Sequence, residues 1–308
     1  MPENSTTERN ADREKRWAAG SSVLAAVALT GLKLLVGLTT GSLGILAEAA
    51  HSALDLVAAL MTFFAVRISG KPADRDHLYG HGKIENVSAL VETFLLLLTC
   101  LWIIYGSIQR LVVKSVEIEV NVWSFAVMVT SIVVDVSRSR VLYRVARKYN
   151  SQALEADALH FSTDIWSSGV VILGLGCVKL SEWVPKWVFL HYADAIAALL
   201  VALIVVQVGS RLGLRTVHAL LDTAPPGLEE KITAAVEALP EVSNCHQVRL
   251  RASGAQHFID VHILMDGNLT LKQAHALTEE IERVIQQLVP GADVTVHPEP
   301  APQPPTAP

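Results

Sequence analysis

Six long apolar stretches between residues 18 and 210 constrain this chain more than any other feature. A helix crossing the hydrocarbon of a bilayer needs about 20 mostly apolar residues. Such stretches are read at 18–39, 42–67, 87–109, 119–141, 154–178 and 187–209. The third, around FLLLLTCLWIIY, is the clearest, and the fifth is the weakest because it must include His160 and Asp164 to reach spanning length. A signal peptide has a shorter apolar region and no train of further spans behind it, so the first stretch is read as a retained helix. Composition agrees: 51% of the residues are hydrophobic and 18% are charged, against roughly a quarter charged in ordinary soluble domains.

Other classes are excluded quickly. Cys100, Cys177 and Cys245 form no CxxC pair, which argues against a disulfide scaffold and a zinc ribbon. A formal net charge of −5 leaves no electrostatic footprint for nucleic acid.

Orientation follows from the loop cations, which concentrate on the cytoplasmic side of membrane proteins. Arg9, Arg13, Lys15 and Arg16 precede the first span; Arg67, Lys71, Arg75 and Lys83 flank the second–third loop; Arg138, Arg140, Arg144, Arg147 and Lys148 flank the fourth–fifth; Arg211 and Arg215 follow the sixth. The alternate loops hold only Arg110, Lys114, Lys179 and Lys186, giving 15 cations against 4. With six spans, all 15 share one side, so both termini are expected in the cytoplasm.

From about Asp222 the composition becomes that of a soluble domain. GLEEKITAAVEAL (227–239) is an amphipathic helix opened by Pro225-Pro226; VRLRA and HFIDVHILM alternate like two strands about a Ser253-Gly254 turn. A second helix covers 269–288 with Thr270 as its N-cap, and ADVTVH is a third strand. The order αββαβ predicts a small open sheet with two helices on one face. The expected divisions are an N-terminal tail (1–16), a six-helix membrane domain (17–212), a cytoplasmic domain (213–299) and a disordered Pro-rich tail (300–308).

A titratable group at mid-bilayer costs several kcal/mol and marks function by default. The second span reads Glu48-Ala-Ala-His51-Ser-Ala-Leu-Asp55, and the fifth reads Asp157-Ala-Leu-His160-Phe-Ser-Thr-Asp164. Positions i and i+4 share one helix face, so each helix offers one imidazole and one carboxylate in the same direction. The two helices run antiparallel, which sets His51 level with Asp164 and His160 level with Asp55 near mid-membrane. Two nitrogens and two oxygens suit tetrahedral zinc. Glu48 and Asp157, each one turn from a histidine, are candidates to orient the imidazoles. Asp135 in the fourth span and Asp194 at the start of the sixth stay ambiguous. A zinc enzyme needs a general base beside an open coordination position, as in HExxH. That motif does not occur, and the four proposed ligands close the coordination shell, which argues against an enzyme.

GSLGILAEAAHSALD, KPADRDHLYGHGKIE and SQALEADALHFSTD resemble motifs of the cation diffusion facilitator family of divalent-metal transporters, over nearly the whole chain from residue 17 to Glu299. The resemblance implies a homodimeric, proton-coupled exporter with six spans and a ferredoxin-like cytoplasmic domain. It implies a transport site at His51, Asp55, His160 and Asp164, and a second metal site in the loop at Asp74, His77 and His81. The spacing Asp-x-x-His-x-x-x-His is by itself able to wrap an ion. A third, binuclear zinc site at the dimer interface is implied for His246, His262, His297 and Glu299, with His275 on the second helix added as a candidate. Lys83 and Asp222 resemble an ion pair at the dimer interface. Many relatives carry Asp in place of His51 and in place of Glu299; the His51 form is associated with zinc over cadmium. His191, His218 and His257 receive no role, and Cys245 reads as a small buried residue.

The expected activity is therefore export of Zn2+ against protons, with Fe2+, Mn2+, Co2+ or Cd2+ as alternative cargo. A non-transporting zinc sensor or scaffold is the other reading, but it would typically lack one of the four intramembrane ligands. Short loops without a long His-rich insertion point to a bacterial inner membrane.

Overall fold

A computed structural model describes residues 2–112, 122–183 and 193–302. Its elements run α1 (Pro2–Thr40), α2 (Leu43–Ser69), α3 (Lys83–Val112), α4 (Val122–Tyr149), α5 (Gln152–Trp183), α6 (Ala193–Leu220), α7 (Leu228–Glu237), β1 (Asn244–Ser253), β2 (Gln256–Met265), α8 (Leu271–Leu288) and β3 (Asp293–Pro300). The starts expected for the fourth and sixth spans, His191 and residues 303–308 of the Pro-rich tail lie outside the described residues, as do the side chains of Cys177 and Asp194.

The first six helices form the membrane domain. α1 packs on α2 and α4, α3 on α6 and α5, and α4 on α5, while α2 meets α5 over a short stretch. The contact faces use small residues: Ala18, Ala19, Ala146, Ala153 and Ala158 are buried together around Leu142, Leu154 and Phe161. Close approach through small side chains is how helices associate where lipid removes the hydrophobic drive. The outward faces stay apolar, with Leu24, Leu35, Leu98, Trp102 and Ile204 exposed. Among the described residues, four of the six are apolar enough to span on their own: α1, α2, α3 and α6. The sequence marks only the fifth span as weak. α4 joins it because it carries Asp135 and Arg138, both turned inward and paired with each other.

Two loop cations are in fact interior groups. Arg138, 6% exposed, donates to Ser22 Oγ at 3.0 Å and lies 3.5 Å above the Phe161 ring. Lys15, expected in the tail, is buried within α1 and bonds Glu85 Oε1 at 2.9 Å. The first sixteen residues, apart from Met1, are thus part of a helix, and the boundary expected at 212 falls inside α6, which continues to Leu220.

The C-terminal unit has the order αββαβ, as expected. β1 and β2 pair antiparallel, β2 and β3 parallel, in the sheet order β1-β2-β3. Ile259, Val261 and Ile263 alternate onto one face of β2 and pack with Ile232 and Val236 of α7 and Ile281 and Ile285 of α8. α8 starts at a capping box: Thr270 accepts from Gln273 N, and the Gln273 side chain returns to the Thr270 N–H. Both helices cover one sheet face, which leaves the other free to present polar side chains.

Candidate metal centre

The residues of the two intramembrane motifs converge where α2 crosses α5. His160 Nε2 lies 3.1 Å from Asp55 Oδ1 and 3.7 Å from Asp164 Oδ2. His51 Nε2 lies 4.0 Å from Asp55 Oδ1 and 4.0 Å from Asp164 Oδ1. The cross-helix partners are the ones the antiparallel arrangement calls for: His51 with Asp164, and His160 with Asp55. Zinc bonds of about 2.0–2.2 Å at tetrahedral angles set neighbouring donor atoms roughly 3.3–3.6 Å apart. His51, Asp55 and Asp164 bring one donor atom each within 4.8 Å of one another, a little wider than a zinc cage; His160 lies outside that set and approaches it through the two carboxylates. His160 is buried and His51 is exposed, so the cage is closed on the α5 side and open at His51. There it borders a cavity of about 180 Å³ lined by Lys33, Glu48, Asp135 and Arg138 as well as His51, Asp55 and Asp164.

Glu48 and Asp157 take other partners than the imidazoles. Glu48 Oε2 accepts from Lys33 Nζ at 3.2 Å. Asp157 Oδ2 accepts from Ser22 Oγ at 3.2 Å, and its Oδ1 is buried with no hydrogen-bond partner. Asp135 lines the cavity and pairs with Arg138 at 3.3 Å. Lys33, 5% exposed, is the residue the sequence reading passed over. Its signal was available, since it is the one basic residue in the middle of the first apolar stretch.

The loop candidates also meet. Asp74 Oδ1 lies 3.3 Å from His77 Nδ1, and Asp74 Oδ2 lies 3.4 Å from His81 Nε2. The backbone N–H groups of His77 and Asp76 donate to Asp74 Oδ1 at 2.7 and 3.0 Å. These donors hold the Asp74 carboxyl below the ordinary carboxylate range. His81 Nδ1 is buried and unpartnered. The same loop docks on the β1–β2 turn: Tyr79 meets Phe258 edge-on at 5.0 Å, and the Arg251 guanidinium lies 3.6 Å over Tyr79. Gly82 makes this contact possible, because a Cβ there would stand 2.2 Å from the Ser253 carbonyl oxygen.

On the open sheet face the register aligns three histidines in one row. His246 pairs with His262 across β1–β2, and His262 pairs with His297 across β2–β3. A bulge follows His246, where Gln247 adopts a φ of +49°. Glu299, two residues beyond His297, lies on the same face. Its carboxylate stands 2.8 Å from His262 Nδ1, 3.6 Å from His246 Nε2 and 3.7 Å from His297 Nε2. The hydrogen bond from His262 draws the Glu299 carboxyl below its usual value. His246, His262 and Glu299 bring one donor atom each within 4.8 Å of one another, a set that fits zinc; His297 stands at its edge, reached only through Glu299. His275 is apart from this row; it is exposed on α8 and faces Glu279 at 3.6 Å. Cys245 is buried on the opposite face among the core residues, and burial pushes its thiol up to about 11. Lys83 and Asp222 are joined by a 2.8 Å ion pair between α3 and the segment after α6.

Comparison with known proteins agrees with this architecture. The family model of the cation efflux transmembrane domain matches residues 21–221, and that of the cation efflux protein cytoplasmic domain matches residues 224–301. The cation-efflux pump FieF of Salmonella arizonae is 35% identical over 288 residues, 92% of each chain. FieF of Salmonella schwarzengrund is 35% identical over 294 residues, 94% of each chain. The metal-bound C-terminal domain of the CzcD transporter from Thermotoga maritima is 38% identical over 24% of this chain and 86% of that one, with a TM-score of 0.23. With both of its parts matched and its length shared with these pumps, the chain belongs to the cation diffusion facilitator family of cation efflux transporters: a multi-pass membrane protein that moves divalent metal ions and is not an enzyme.

Proposed function

We propose that the chain exports zinc from the cytoplasm in exchange for protons, through the cage of His51, Asp55, His160 and Asp164. One observation carries this reading: two imidazole–carboxylate pairs from opposed helices meet inside the bundle, with cross-helix separations of 3.1 and 4.0 Å. Two nitrogen and two oxygen donors favour zinc over the hard ions that prefer all-oxygen sites.

The exchange follows from the donor chemistry. Zinc takes neutral imidazole and ionised carboxylate, so metal and protons compete for the same atoms. A histidine ordinarily titrates at about 6.5, within the range spanned by an energised membrane. Zinc loads from the near-neutral cytoplasm when the cage faces inward. After the cage turns outward, protons taken up there release the ion and return with the empty site. Relative tilting of the helices that carry the cage supplies alternating access. With the interior Lys15 and Arg138 set aside, the remaining 13-to-4 cation asymmetry supports cytoplasmic termini, and the short loops support a bacterial inner membrane.

The open sheet face supports a homodimer held through that face. There His246, His262, His297 and Glu299 would hold zinc as a structural ion, and Asp74, His77 and His81 would hold a further ion at the membrane edge. Bound at the sheet, zinc supplies fixed positive charge that ties the three strands and the two copies together.

Zinc flux into proteoliposomes with an imposed pH gradient tests the reading. Collapse of the gradient, Asp55→Ala and His160→Ala are each expected to abolish uptake. Undiminished flux in either variant removes the cage from the mechanism.

A further inference from the structure

Lys33 lies midway along the first apolar stretch, where an unpaired ammonium is costly. Its Nζ donates to Ser52 Oγ at 2.8 Å and to Glu48 Oε2 at 3.2 Å. One turn earlier, Thr30 Oγ1 donates to the Ser52 carbonyl at 3.0 Å. α1 therefore grips α2 at Ser52, the neighbour of His51. Glu48, one turn before His51, is largely exposed towards the cavity. It needs no lysine to be solvated, so simple satisfaction of a buried acid does not account for Lys33.

Charge bookkeeping in the cavity does account for it. Four acidic side chains line it, Glu48, Asp55, Asp135 and Asp164, together with two basic ones, Lys33 and Arg138. Lys33 takes Glu48 and Arg138 takes Asp135 at 3.3 Å. Asp55 and Asp164 remain, two negative charges facing the imidazoles, which one divalent ion balances.

We propose that Lys33 is a positioning and specificity-determining residue of the transport site. By neutralising Glu48, it keeps that carboxylate from joining the cage as a fifth ligand. By holding Ser52, it fixes α2 against α1 at the residue next to His51. The cage so constrained releases its ion instead of trapping it. This inference rests on the transport site proposed above and assigns a residue outside the four ligands.

The test is zinc transport kinetics in proteoliposomes. Lys33→Met frees Glu48 beside the site, and an uncompensated charge in a partly buried cavity is worth kilocalories. KM and kcat are both expected to fall, each by about tenfold, the pattern of over-tight binding. Lys33→Arg should stay near the parent, and Lys33→Met/Glu48→Gln, which restores the charge balance, should recover both constants. A merely structural lysine predicts a lower kcat with KM unchanged or raised and no recovery in the double variant; that result overturns the proposal. If Lys33→Met does not fold, Glu48→Gln alone decides: the unpaired ammonium is expected to raise KM by about tenfold, and an unchanged KM overturns the proposal. Asp55→Ala runs beside these. An inactive Asp55→Ala with Lys33→Met equal to the parent overturns the role of Lys33 and leaves the cage standing. An active Asp55→Ala overturns the cage, and the role of Lys33 with it.

Discussion

His160 Nε2 on α5 lies 3.1 Å from Asp55 Oδ1 on α2, although 105 residues separate them in the chain. The contact joins the two halves of the membrane domain at the proposed cage, so removing the Asp55 charge without its shape isolates the electrostatic contribution. Asp55→Asn is expected to lower zinc affinity by about two orders of magnitude or more, because even a residue that only supports a metal ligand is worth roughly 10–100-fold. Competition against a fluorescent zinc chelator, with the purified full-length chain, measures it. A change below threefold would show that Asp55 is not a ligand.

His51 occupies the open side of the proposed cage and is the candidate donor whose chemistry is easiest to change. His51→Asp replaces a nitrogen by an oxygen and leaves a one-nitrogen, three-oxygen set that is less particular about ion size and softness. The ratio of zinc to cadmium transport is expected to fall by about tenfold, in line with the ligand preferences that discriminate these ions. Parent and variant would be compared for both metals in the same vesicle preparation. Equal ratios would place selectivity elsewhere.

The convergence of His51, Asp55, His160 and Asp164 where α2 crosses α5 was legible because ionisable groups inside long apolar stretches are rare and the two motifs repeat with the same spacing. The αββαβ order was legible because strand alternation and the Thr270 cap are local signals. Arg138 and Lys15 were misplaced among loop cations for a physical reason. Hydropathy cannot distinguish a cation at a membrane edge from one paired inside the bundle, and Arg138 is paired with Asp135 and stacked on Phe161. Lys33 was overlooked because its meaning depends on Glu48 and Ser52, which only the packing of α1 on α2 brings to it. The docking of the Tyr79–Gly82 segment on the β1–β2 turn had no sequence signal beyond a pair of glycines around His81.

That docking makes its own prediction. Gly82 lies so close to Ser253 that a methyl group has no room, and forcing extra volume into a packed contact costs about 1–3 kcal/mol. Gly82→Ala is expected to undock the hairpin, seen as faster hydrogen exchange at residues 251–258 in the full-length chain. Tyr79→Ala, which removes the ring between Arg251 and Phe258, should act in the same direction. Unchanged exchange in both variants would mean that the contact contributes nothing to holding the cytoplasmic domain in place.

The same hairpin carries a pH dependence through His257, which pairs with Ala252 across the strands. Burial disfavours the charged imidazole and holds His257 below its ordinary value of 6.5. The folded hairpin therefore binds fewer protons than the unfolded one, so folding is favoured as pH rises through this window. The contribution is fully present above the unfolded value of about 6.5 and is lost as pH falls from there towards the depressed folded value. Protection of residues 252–258, corrected for the intrinsic pH dependence of exchange, is expected to weaken between about pH 6.5 and lower pH. His257→Gln, which cannot ionise, should flatten that decline while leaving protection at pH values above it nearly unchanged. A decline of equal steepness in the variant would assign the acid sensitivity to another group.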